Sequence, residues 1–257
     1  MPIVSDFQNY IDSFAPYDTA EEWDNSGLLL GRRDQKVTGV LVALDVTEQV
    51  VEEAVKKGAN LILTHHPYLF SPIKRITDET AQGKLLLTAA ERNIALLCAH
   101  TNLDKAQDGI NALLCEILGI EVNYEAASPF LTGFISQEMK LEEFLKLVHN
   151  KLHCYGLKYT GSLQGKLQKI SVCSGSGSAF LQEAADQGAD ALLTSDARYH
   201  DHQLAGQLGI SLIDAGHFET ERIICPVLVQ KIKERFPEVT VLESKTHRGF
   251  YKYFHTV

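Results

Sequence analysis

Short apolar runs alternate along this chain with stretches of helical spacing. Val40-Leu41-Val42-Ala43-Leu44 is unbroken by any polar residue, as expected of a strand covered on both faces. From Val46 to Lys57 the apolar positions recur at helical spacing, with Thr47 suited to cap the start and Gly58 to stop it. Leu61-Ile62-Leu63 predicts a second buried strand, Thr80 to Arg92 a helix, and Ile94 to Cys98 a third strand. Gly109 to Leu118 predicts another helix, stopped at Gly119. The second half continues in kind. Ile170 to Cys173 reads as a strand, Ala179 to Gln187 as a helix stopped at Gly188, and Leu192-Leu193 as a strand core. His202 to Leu208 follows as a helix, Ile210 to Ile213 as a strand, and about Thr220 to Arg235 as the last helix. Leu141 to Leu152 offers an amphipathic helix between the halves, and Gly249 to Phe254 a final strand.

The halves match in letters as well as in pattern. Gly58-Ala59-Asn60-Leu61-Ile62-Leu63-Thr64 is similar to Gly188-Ala189-Asp190-Ala191-Leu192-Leu193-Thr194. Asn93 to Ala99 is similar to Gly209 to Ala215, in the same order. Internal duplication is the simplest account, the rival being two βαβ units that share composition by chance. The expected architecture is α/β, with two similar lobes whose sheets are flanked by helices. The lobes are placed at residues 1–125 and 126–257, joined by a linker over about Glu121 to Thr132. A final strand near 249–255 is left free to pair with either lobe.

Composition narrows the function. The chain has 257 residues, 45% hydrophobic and 22% charged, enough apolar content for a substantial core. Its formal net charge of −9 argues against nucleic acid as a partner. No apolar run approaches the ~18 residues of a membrane span. The first residues lack a basic region followed by an apolar run, so no signal peptide is expected. The five cysteines form no CxxC pair, which suits a reducing cytoplasmic setting. Cys98, Cys115 and Cys173 lie in apolar runs and are expected in the core.

The polar residues at strand ends carry the chemistry, because α/β sheets bind ligands beyond the carboxyl ends of their strands. One strand ends in Thr64-His65-His66-Pro67, the next in His100-Thr101-Asn102-Leu103-Asp104. In the second half, strands end in Thr194-Ser195-Asp196, with His200 close behind, and in Asp214-Ala215-Gly216-His217-Phe218-Glu219-Thr220-Glu221. Adjacent histidines in extended chain point opposite ways, but at a strand-end bend they can reach two neighbouring ions. His217 and Glu221 are four residues apart and share one helix face, whereas Glu219 points elsewhere and is expected in solvent. Each group alone fits a cap, an ion pair or a core histidine. Together, His65, His66, Asp104, His217 and Glu221 suit two divalent ions about 3.5–4 Å apart, with carboxylates able to bridge. Zn, Mn, Fe, Co and Ni all accept such ligands.

These segments resemble a known family. Glu22-Trp23-Asp24-Asn25-Ser26-Gly27-Leu28-Leu29-Leu30-Gly31, Thr64-His65-His66-Pro67, His100 to Asp104 and Gly216 to Glu221 look like signatures of the GTP cyclohydrolase 1 type 2 homologues, also called the Nif three-like, dinuclear-metal-centre family. Asp196-Ala197-Arg198-Tyr199-His200 resembles a further family segment, with Ser195 and Arg198 replacing its usual Gly and Lys. The resemblance implies two α/β lobes with a dinuclear site between them and those five ligands. It also implies a ring-like homohexamer, with sites facing an internal cavity. This chain is too short for the domain that longer relatives carry inserted mid-chain. The family's name implies hydrolysis of a nucleotide, so the expected partners are other copies of the chain and a small-molecule substrate.

The leading expectation is a metal-dependent hydrolase. His100 is the candidate proton shuttle, with Thr64, Asn102, Asp45 and His200 around the ligands or the substrate. Arg198, Lys105 or the helix start after Gly175-Ser176-Gly177 are candidates for holding phosphate. The alternative is a non-catalytic metal-binding regulator or scaffold ring. The Asp24-Asn25-Ser26-Gly27 turn marks a ligand or subunit contact, or is simply a turn.

Overall fold

A computed structural model of the chain describes residues 1–124 and 128–254. It is a mixed α/β fold with two sheets flanked by helices, and it divides into two compact units. The first unit comprises Met1–Ala106 and Ile224–Arg248; the second comprises Gln107–Ile223 and Gly249–Val257.

The first unit begins with α1 (Val4–Phe14), β1 (Gly27–Leu30), β2 (Gly39–Ala43) and α2 (Glu48–Lys57). It continues with β3 (Leu61–Thr64), α3 (Ala81–Glu91), β4 (Ala95–Cys98) and α4 (Thr101–Lys105). Thr47 caps α2 by accepting from Val50 N at 3.2 Å, and Gly58 ends it in the left-handed conformation, as its position predicts. β2, β3 and β4 pair in parallel, and every residue of these strands is buried. Leu41, Ile62 and Leu96 point into one core with Val50, Leu86 and Ile94. Each such buried side chain contributes about 2 kcal/mol.

The second unit follows with α5 (Ile110–Leu118), β5 (Ile120–Val122), β6 (Leu131–Lys140) and α6 (Leu141–Leu152). Then come β7 (Lys158–Tyr159), β8 (Lys166–Val172), α7 (Leu181–Asp186), β9 (Ala191–Thr194), α8 (Tyr199–Leu208), β10 (Ser211–Asp214) and α9 (His217–Glu221). Its sheet runs β5-β6-β8-β9-β10-β7, with β8, β9 and β10 parallel. The chain returns to the first unit through α10 (Ile224–Arg235) and β11 (Thr240–Glu243). That completes the first sheet as β1-β4-β3-β2-β11, parallel throughout except for β1.

The two parallel cores are built alike. Asn60 N bonds to Gly39 O and Ala99 N to Thr64 O; in the second unit Asp190 N bonds to Lys169 O and Ala215 N to Thr194 O. An antiparallel edge strand lies beside β4 in one sheet and beside β10 in the other.

Four expectations fail. The boundary at 125 is misplaced, because residues 107–124 belong to the second unit and 224–248 close the first. The linker over Glu121 to Thr132 carries strand at both of its ends: Ile120–Val122 pairs antiparallel with Gly133–Ile135, and three residues are too few to show a period. Residues 125–127 of that segment lie outside the described residues. The last helix is two, α9 and α10, because Pro226 cannot donate to the carbonyl of residue 222 and fits only a first turn. The final strand is absent over 249–254: this segment lays Tyr253 against Gly156 and pairs with no strand among the described residues. Residue 255 of that expected strand lies outside the described residues. All five cysteines are free and buried. No helix among the described residues is long and apolar enough to cross a membrane.

Candidate metal centre

In the first unit, β3 and β4 lie side by side and parallel, so the segments after both strands leave the sheet at the same edge. His65 comes directly after β3 and is fully buried. Its Nδ1 lies 2.9 Å from Ala99 O. A carbonyl only accepts, so Nδ1 carries the proton and Nε2 keeps its lone pair. His66 is held by Asp45 Oδ1, 2.8 Å from its Nδ1, while Thr64 Oγ1 donates to His66 O at 2.9 Å and fixes the bend. His100, which opens α4, has its Nδ1 2.8 Å from Asp24 Oδ1. The ring centroids of His65, His66 and His100 lie 4.9 to 5.7 Å apart. One ring nitrogen of each lies within 4.8 Å of the other two, so this cluster can hold a metal ion. His100 thus lies within reach of the expected ligands His65 and His66. Asp104 Oδ1 is 3.7 Å from His65 Nε2. That is too long for a hydrogen bond but suits two donors around one cation, roughly 3–4 Å apart when each is about 2 Å from it.

Asp24 organises this edge. Its side chain is fully buried. Oδ1 accepts from Asn25 N at 2.7 Å and from His100. Oδ2 accepts from Ser26 Oγ at 2.8 Å, Thr101 N at 3.1 Å and Thr101 Oγ1 at 2.6 Å. Burial pushes the carboxyl pKa up, but the bonds from His100, Thr101 and Ser26 outweigh it and hold the group well below the usual carboxylate range. Asn102 completes the turn: its Oδ1 accepts from His100 N at 2.9 Å and from Ser26 Oγ at 3.1 Å.

In the second unit, His217 opens α9 with Nδ1 2.7 Å from Asp196 Oδ2 and Nε2 3.0 Å from Glu221 Oε2. Asp196 reaches it from a left-handed backbone (φ 53°), a conformation Asp tolerates better than most residues. Burial raises the Asp196 carboxyl pKa, but hydrogen bonds from His217 and Ser176 prevail and lower it. Glu221 is 3% exposed, and a Cβ at Gly175 would collide with its Oε1. Gly175 and Gly177 give their amides to Thr220 Oγ1 and Thr194 Oγ1. The Gly175-Ser176-Gly177 turn therefore admits Glu221 and is no phosphate cradle. Lys105 is likewise engaged, by Glu21 at 2.6 Å.

Two expected positions differ. Glu219 is buried at 5% exposure rather than solvated, because α9 spans only five residues and packs on most sides. His200 is exposed on α8, where its Nδ1 meets Gln203 Oε1 at 3.2 Å, and no bond ties it to His217 among the described residues. Of the groups expected around the ligands or the substrate, His200 thus leaves the His217 ring to Asp196. Asp24 and Asp196 are imidazole partners that strand-end reasoning does not single out, although both lie in segments that the resemblance marks.

Each of the four imidazoles thus has Nδ1 held by an oxygen. This is the arrangement by which proteins orient metal-binding histidines, and it fits a divalent ion that accepts N and O ligands.

The model of the Duf34/NIF3 (NGG1p interacting factor 3) family matches residues 2–249. The chain belongs to that family. It is 36% identical to the "GTP cyclohydrolase 1 type 2 homolog" of Clostridium perfringens, over 94% of this chain and 96% of the relative. It is also 36% identical to the protein of that name from Clostridium acetobutylicum, over 97% and 91%. Among solved structures, reduced HcgD from Methanocaldococcus jannaschii is similar at 28% identity and a TM-score of 0.80, over 95% of this chain and 98% of that one. A Bacillus cereus protein related to NIF3 shares the fold with a TM-score of 0.93 at 24% identity, over 99% of each chain.

Proposed function

We propose that this Duf34/NIF3 member binds two divalent metal ions per subunit and is a metal-dependent hydrolase of a nucleotide or related small molecule. His65, His66 and Asp104 from the first unit and His217 and Glu221 from the second are the ligands in this reading. The observation that carries it is the common state of the imidazoles, each anchored through Nδ1 so that Nε2 is presented as a donor. Neither set suffices alone for two ions, and the internal likeness of the two parallel cores supports a duplicated fold in which each half supplies part of the ligands.

When bound, the ions supply Lewis acidity and a water acidified to near neutral pH. The chain's own residues do the rest. Asp45 and Ala99 O fix the planes of His66 and His65, and Asp196 that of His217. His100 moves a proton at Nε2, since Asp24 retains the proton on Nδ1. The relatives' name makes the purine ring of a nucleoside triphosphate the first substrate to test. The family resemblance adds a homohexameric ring, which solution mass measures directly.

Metal analysis of purified chain, paired with a nucleotide hydrolysis screen, tests the reading. His217→Ala and Glu221→Ala should each lose at least one ion per chain with the fold intact. Unchanged metal content in either removes that ligand. Full metal content with no turnover on any nucleotide replaces the hydrolase with the regulator or scaffold.

A further inference from the structure

Two large aromatic rings stand in solvent beside the imidazole cluster of the first unit. Trp23 is 59% exposed and Phe70 53% exposed. Their centroids are 5.7 Å apart and their planes meet at 50°, so neither ring covers the other face to face. Each lies close to His100, Trp23 at 6.1 Å and Phe70 at 6.3 Å between centroids. Leaving such rings in water forgoes the gain from burial, yet here the backbone fixes them there. Asp24, next to Trp23, is anchored by five hydrogen bonds. Asn25 Nδ2 donates to Leu69 O at 2.6 Å and ties the Trp23 turn to the residue before Phe70. Gln82 Nε2 donates to Tyr68 O at 3.2 Å and holds that loop from its other side. One motif therefore orients His100 through Asp24 and ties the Phe70 loop to the Trp23 turn through Asn25.

We propose that Trp23 and Phe70 form an aromatic ledge beside His100 that holds a flat heteroaromatic ring of the substrate by stacking. Aromatic side chains bind nucleobases and similar rings in this way, and preorganised rings lose little freedom on binding. The patch is two rings bounded by an imidazole and a polar turn, small for a protein partner and sized for one planar ligand. The ledge deepens the hydrolase reading and rests on it for the reaction, though not for the binding.

Trp23 is the only tryptophan in the chain, so its fluorescence reports on the ledge directly. The full chain, purified with its metals, is titrated with guanosine 5′-monophosphate, adenosine 5′-monophosphate and ribose 5-phosphate. Both nucleotides should quench Trp23, and ribose 5-phosphate should not. By calorimetry, Trp23→Ala and Phe70→Ala should each weaken nucleotide binding about tenfold. Trp23→Phe, which keeps a ring, should stay within about threefold of the parent. Nucleotide binding as tight in both alanine variants as in the parent overturns the ledge. So does an absence of quenching, or a change of oligomeric mass in the alanine variants with nucleotide affinity intact. Metal content read on the same samples separates the two readings. Quenching in a chain that holds no metal sinks the metal centre and keeps the ledge, whereas full metal with no quenching sinks the ledge alone.

Discussion

Replacing Asp24 by Asn tests whether a single buried carboxylate sets the first unit's imidazole cluster. The amide is nearly isosteric, so packing is kept and only hydrogen bonding changes. Each carboxylate oxygen faces at least two donors: Asn25 N and His100 Nδ1 on one, Ser26 Oγ and both Thr101 donors on the other. Whichever way the amide turns, its NH2 meets a backbone N–H that cannot accept, Asn25 N on one side or Thr101 N on the other, and that bond is lost. A bond to a charged acceptor contributes roughly 1.5–3 kcal/mol, so Asp24→Asn should cost at least about 1.5 kcal/mol. The sign with pH follows from the lowered pKa of Asp24. Its stabilisation is fully present above the unfolded value of about 3.9 and is lost as pH falls through the folded value. The gap between parent and variant should therefore be widest near pH 7 and close progressively below about pH 4. Trp23 adjoins Asp24, so urea unfolding followed by tryptophan fluorescence reads the first unit specifically. A variant within about 1 kcal/mol of the parent at pH 7, with an unchanged gap at pH 3, refutes the reasoning.

Other outcomes are equally specific. Glu53 on α2 accepts from Ser244 Oγ, Lys245 N and both Thr246 donors just beyond β11. Burial raises its pKa, but these bonds prevail and lower it. Glu53→Gln should cost about 2–3 kcal/mol in a urea titration at pH 7, and the difference should begin to fade below the unfolded value of about 4.3 and be lost as pH falls through the lower folded value. Gly175→Ala forces a side chain into a left-handed backbone (φ 59°) and against Glu221. It should cost about 1–2 kcal/mol in thermal melts and lower metal content, where Gly188→Ala, with open space around it, should leave metal content unchanged. Dialysis against a chelator should lower the melting temperature, and readdition of a divalent metal should restore it.

Much of this fold is legible because its strands are buried on both faces. An unbroken run such as Leu61-Ile62-Leu63 between a Gly stop and a polar turn admits few other readings. The Gly at 58, 119, 188 and 209 each takes a positive φ at a helix end or just beyond it, where the chain cannot continue with an ordinary residue. Strands β5 and β7 escape the pattern because three and two residues carry no period. The pairing of β7 is set by β10, a partner far along the chain. The return of residues 224–248 to the first unit is invisible for a similar reason: Val241 and Val40 are neighbours only in space. At the candidate site the ligand types can be read from strand ends, but not the groups that orient them. Asp24 lies 76 residues from His100, and Asp196 gains its reach from one left-handed residue. The burial of Glu219 is hidden because helical spacing gives a direction on α9, not the neighbours that lie in that direction.

The discontinuity of the first unit bears on how the chain matures. During synthesis, residues 1–106 emerge with β2 as a bare sheet edge, and a bare edge is a template for wrong pairing. Nearly all of the second unit, residues 107–223, is made before β11 arrives to cover that edge. A ribosome stalled short of residue 240 would hold a nascent chain whose first sheet is still one strand incomplete, and there a chaperone has most to protect.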